Sequence, residues 1–76
     1  MPAIWCACGE KLDYSLIPNP IEWLAIGDVA YDAYAGQVDA EALHREMKSI
    51  FECPACGRLA AFWEGFGKPP KFYAPE

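Results

Sequence analysis

The chain has little histidine, few cations and no long apolar run, and each shortage removes a class of function. His44 is the lone histidine among 76 residues, so paired-histidine motifs of catalytic zinc sites, such as His-Glu-x-x-His, are missing. Ser15 and Ser49 stand in no nucleophile motif, and catalysis is not expected. Six Lys and Arg against eleven Asp and Glu give a formal charge of −5, the wrong sign for a protein that binds by neutralising phosphates. Direct nucleic-acid binding is therefore not expected. No stretch approaches the roughly 20 apolar residues of a membrane helix, and no basic segment leads into an apolar one near the start; the expected location is the cytoplasm. Internal repeats and low-complexity tracts are also lacking, and 8.4 kDa leaves room for one domain.

What the chain does hold is apolar: 54% hydrophobic and 14% aromatic residues place it well away from disordered compositions. A domain of this size nevertheless buries only about 60% of its unfolded surface, while each ordered residue costs about 1–2 kcal/mol of backbone entropy, so a staple is expected. Four cysteines in two tight pairs, Cys6 with Cys8 and Cys53 with Cys56, are the candidate. In a reducing compartment such pairs serve as metal ligands or redox groups more often than as disulfides.

Along the chain, Ala3-Ile4-Trp5-Cys6 and Glu10-Lys11-Leu12 read as a short β-hairpin around the first cysteine pair. Asn19-Pro20-Ile21-Glu22 then carries a helix-start pattern, with Asn19 as N-cap, Pro20 at N1 and Glu22 at N3. Trp23, Ile26, Ala30, Ala33 and Tyr34 follow at helical spacing, and Gly36 supplies a stop. Asp39 opens a second helical pattern with Leu43, Met47, Ile50 and Phe51 as its apolar stripe. Pro54 ends that pattern. Residues 58–64 and Lys71-Phe72-Tyr73 read as a second hairpin around a Gly/Pro-rich turn.

A tetrahedral zinc ion needs four soft ligands converging at about 2.0–2.3 Å, and two cysteine-bearing turns brought together can supply them. Gly9 and Gly57 each follow the second cysteine of a pair, where a backbone without Cβ can bend its amides toward sulfur. The turns echo one another as Cys-x-Cys-Gly and Cys-x-x-Cys-Gly, each continuing to a basic residue and a leucine. Cys53-Pro54-Ala55-Cys56-Gly57-Arg58 resembles the C-terminal knuckle of zinc-ribbon and rubredoxin-like proteins, and Cys6-Ala7-Cys8-Gly9 resembles a tightened first knuckle. The resemblance implies one structural zinc per chain, held by Cys6, Cys8, Cys53 and Cys56. The 44 residues from Gly9 to Glu52 exceed the roughly 15–20 of a compact ribbon.

The expected fold class is thus α+β: a small zinc-ribbon-like antiparallel β core with a helical hairpin inserted between the knuckles. The single domain, 1–76, divides into a first knuckle and hairpin at 1–14, a helical insertion at 19–51, and a second knuckle and hairpin at 52–76. Rival uses of the thiols are a disulfide framework, iron in place of zinc, and a redox dithiol at Cys53 and Cys56, since Cys-Pro-x-Cys also occurs in glutaredoxin-like enzymes. His44, mid-helix, reads as an ordinary helix residue, and Asp28, Asp32, Asp39 and Glu41 as a solvated acidic face. Trp5, Phe62, Trp63 and Phe72, with Trp23, Tyr31 and Tyr34, read as core, and Phe66 as the exposed aromatic; surplus aromatic surface could serve a partner or a homodimer seam. The leading function is a non-catalytic zinc protein that acts through protein–protein contact, in sharper form an acidic inhibitor or immunity-type protein covering a basic partner. A small thiol redox protein and a zinc-ribbon nucleic-acid accessory protein are the alternatives.

Overall fold

Strands β1 (Ala3–Trp5) and β2 (Lys11–Asp13) form the first hairpin, in the register Ala3 with Asp13, Ile4 with Leu12 and Trp5 with Lys11. A second, four-stranded sheet is antiparallel throughout, in the order β3-β4-β5-β6. Its strands are β3 (Glu22–Ala25), β4 (Lys48–Glu52), β5 (Leu59–Ala61) and β6 (Lys71–Tyr73), and two short helices, α1 (Asp28–Tyr31) and α2 (Ala40–Glu46), lie between β3 and β4. This computed structural model describes residues 3–76, so the first two residues of the expected 1–14 segment lie outside the described residues. The fold is α+β: two small antiparallel sheets and two short helices.

Two stretches expected as helix are strand. Asn19 begins a turn: its Oδ1 accepts from the Ile21 amide at 3.1 Å while its Nδ2 donates to the Asp13 carbonyl at 2.9 Å. Glu22–Ala25 then runs extended against β4, and helix is confined to the single turn of α1. Asp39 does cap α2, accepting from the Glu41 amide at 3.1 Å, but that helix ends at Met47 and residues 48–52 are strand. The reason is tertiary. Isolated helices of this length gain little on their own, whereas an extended β4 has ladder partners on both sides, Glu22 opposite Phe51 on one and Ala60 opposite Phe51 on the other.

The core lies between the inner face of the large sheet and the first hairpin. Phe51, Ala60 and Phe62 from the sheet side meet Leu12 and Cys6, with Cys53 in the same cluster and Ile4, Tyr14, Ile21 and Cys56 packed around it. Tyr14, Phe51, Phe62 and Phe66 form an aromatic group with ring centroids 4.7–6.2 Å apart. Of the aromatics expected inside, Phe62 is buried and Tyr34 half-buried. Trp5, Trp23, Tyr31, Trp63 and Phe72 are exposed, Trp5 by 67% and Trp23 by 62%. Strand alternation explains Trp23, which shares the outer face of the sheet with its partner Ile50 and with Leu59 and Tyr73. Phe66 is 54% exposed, as expected.

Candidate metal centre

The two cysteine turns are closed in the same way. The Cys6 amide donates to the Glu10 carbonyl and the Gly9 amide to the Cys6 carbonyl, both at 2.9 Å. In the second turn the Cys53 amide donates to the Arg58 carbonyl at 2.8 Å and the Gly57 amide to the Cys53 carbonyl at 2.9 Å. Gly9 and Gly57 take φ of 97° and 83°, the left-handed region in which a Cβ is strained. The echo seen in sequence is therefore a repeated backbone turn, with Cys-x-Cys one residue tighter than Cys-x-x-Cys.

Packing of the first hairpin on the sheet brings the turns together. The Cys6 and Cys56 sulfurs are 3.5 Å apart, those of Cys8 and Cys53 3.6 Å, and all four Sγ atoms lie within 4.8 Å of one another. A tetrahedron with metal–sulfur bonds of about 2.3 Å has edges of about 3.8 Å, so the set could hold one metal ion. All four are free thiols rather than disulfides. Cys6 and Cys53 are buried, Cys56 is half-buried and Cys8 faces solvent, so the cluster is anchored in the core on one side and open to ions on the other.

The thiols are not equivalent. The backbone amide of Arg58 holds Cys56 down to about 6, helped by the Arg58 guanidinium, whose Nη1 donates to the sulfur at 3.4 Å. At Cys8 the Glu10 amide pulls the thiol down, but partial desolvation and hydrogen bonds with Cys56, Cys53 and Cys6 push it up to about 12. Cys56 therefore gives up its proton more readily than Cys8.

His44 lies on α2 and takes no part in the four-residue cluster. Arg58 is the site residue that spacing did not single out; its signal was the basic residue that follows Gly57 in the second turn. Asp28, Asp32, Asp39 and Glu41 are all exposed, as expected of a solvated face. No helix among the described residues is long and apolar enough to cross a membrane.

The sequence pattern of a family described as a domain of unknown function (DUF8617) matches residues 2–76. The chain belongs to the DUF8617 family. No curated protein and no solved structure matches it significantly. The family match spans both turns and everything between them, so the four cysteines lie within one family unit.

Proposed function

We propose that Cys6, Cys8, Cys53 and Cys56 hold one structural zinc ion, and that the folded protein works without catalysis by contact with a basic protein in the reducing cytoplasm. The observation that carries the first half is the mutual 4.8 Å limit on four free sulfurs contributed by two glycine-closed turns. Four sulfur ligands complete a tetrahedral shell, which favours a structural role over one that needs an open coordination position. Sulfur ligation also suits iron, but zinc is favoured by its own preference for a closed tetrahedral sulfur shell. Apparent zinc affinities of about 10–16 kcal/mol in small zinc modules exceed the whole stability of a typical domain, so the ion would supply what a small core lacks.

The second half is supported by charge and by exposed apolar surface. The formal charge of −5 falls to about −7 once four thiolates hold one divalent ion. Trp23, Ile50, Leu59 and Tyr73 line a shallow groove of about 470 Å³ on the outer sheet face, which suits a protein surface better than bulk water. An inhibitor or immunity-type role follows from the same features, since acidic partners associate quickly with basic ones and do so less quickly as salt rises.

Native mass spectrometry with elemental analysis of protein purified without added metal tests the reading. One zinc per chain is expected, with Cys56→Ala losing both zinc and the folded state. A zinc-free chain that keeps its fold overturns it. A chain lighter by the hydrogens lost in disulfide formation would favour the redox dithiol instead.

A further inference from the structure

A second hollow, of about 560 Å³, lies on the inner face of the large sheet, between the connector after β2 and helix α2. Its chemistry is unlike that of the outer groove. Glu22 and Leu24 flank Trp23 on β3 and so point to the face that carries Phe51, and Leu24 pairs with Ser49 across β4. Ser49 Oγ donates to Glu22 Oε2 at 2.7 Å, which fixes one carboxylate oxygen and leaves the other with no hydrogen-bond partner among the described residues. Phe66 stands on another side, stacked on Tyr14 at 5.2 Å with the rings 2° from parallel, and more than half of its surface is still exposed. Among the described residues no lysine or arginine lines the hollow, and His44 is the one basic side chain there.

A positioned carboxylate without a cation, set among apolar walls and beside an open aromatic ring, matches one side-chain chemistry closely. A guanidinium is planar, donates a fork of N–H groups to a carboxylate, stacks on aromatic faces and carries an apolar stem. An ammonium offers the charge without the plane. The volume suits one such side chain with its adjoining backbone. We infer that this hollow is the anchor site for an arginine side chain of the basic partner, with Glu22 as the charge partner, Ser49 as the positioning residue and Phe66 as the stacking surface. The inference deepens the reading of the protein as a partner-binding module and rests on it for the source of the arginine, but not for the zinc.

The test is an amide NMR titration of the full chain, its metal content already measured, with N-acetyl-arginine N-methylamide. Capped citrulline, which has nearly the same shape without charge, and free arginine serve as comparisons. Saturable shifts at Leu24, Ser49 and Phe66 are expected with the capped arginine, none with citrulline, and weaker ones with free arginine. Glu22→Gln retains an acceptor for Ser49 and should weaken binding about tenfold, and Phe66→Leu severalfold. No saturable shift, equal binding of citrulline, or an unchanged Glu22→Gln variant overturns the site. Free arginine binding as tightly as the capped form overturns its assignment to a partner protein. Failure of the zinc reading shows in the metal content and failure of this one in the titration, so the two are separable.

Discussion

The Cys6 and Cys56 sulfurs sit 3.5 Å apart although 50 positions separate them in the chain. Nothing local holds them there: Cys6 is carried by the small hairpin and Cys56 by the turn between β4 and β5, and Leu12, Phe51 and Cys53 share the core that joins the two. Core and cysteine cluster are thus one cooperative unit, and loss of either should be felt by both.

Cobalt offers a direct view of the ligand set. Loading the chain with Co²⁺ should give the intense visible bands of tetrahedral sulfur coordination, and Cys8→Ser should weaken them while His44→Ala leaves them unchanged. Bands altered by the histidine variant would remove the four-sulfur assignment.

Truncating Phe51, only 1% exposed, should cost about 3–5 kcal/mol, comparable to the stability of a small domain. Phe51→Ala should therefore lose zinc in step with tertiary structure when both are followed through a denaturant series. Full zinc occupancy beside a collapsed near-ultraviolet dichroism signal would show instead that turns and core are independent.

The turn glycines should be separable from the packing around them. A Cβ on Gly9 meets nothing within 4 Å, and one on Gly57 meets only Pro75 Cγ at 3.6 Å, so strain at positive φ is the whole cost. Gly9→Ala and Gly57→Ala should each lose about 1 kcal/mol by chemical denaturation. Gly67→Ala, outside the left-handed region and in open space, is the control and should lose nothing.

Tyr34 donates to Glu46, and that hydrogen bond with the nearby negative charge raises the phenol above its ordinary 10.0. Because the folded value is the higher one, the contribution of this tie is fully present below pH 10 and is lost as pH rises through the folded value. Glu46→Gln should bring the Tyr34 titration, read by ring-carbon NMR, back down toward 10; an unmoved midpoint would discount the pair.

Local chemistry explains which parts of the fold were legible in the sequence. Turns were legible because their determinants are adjacent residues: a glycine after each cysteine pair fixes a left-handed bend, and Asp39 caps α2 with its own side chain. The ends of the chain were legible as hairpins for the same reason, with β1 against β2 and β5 against β6. Residues 22–25 and 48–52 were not. Trp23, Ile26 and Ala30 fit a helical stripe, but this spacing does not include the ladder that a strand gains from partners on either side.

The sequence by itself determined the metal-competent residues and the two turns that present them, because ligand type, glycine freedom and short spacing are properties of neighbouring residues. The tertiary structure alone decided that β3 and β4 are strands, that most of the tryptophan surface is left outside, and that Glu22 faces the hollow beside Phe66. Those outcomes depend on which strands pair and which face of the sheet the first hairpin covers, and the burial that drives them exists only once distant segments have met.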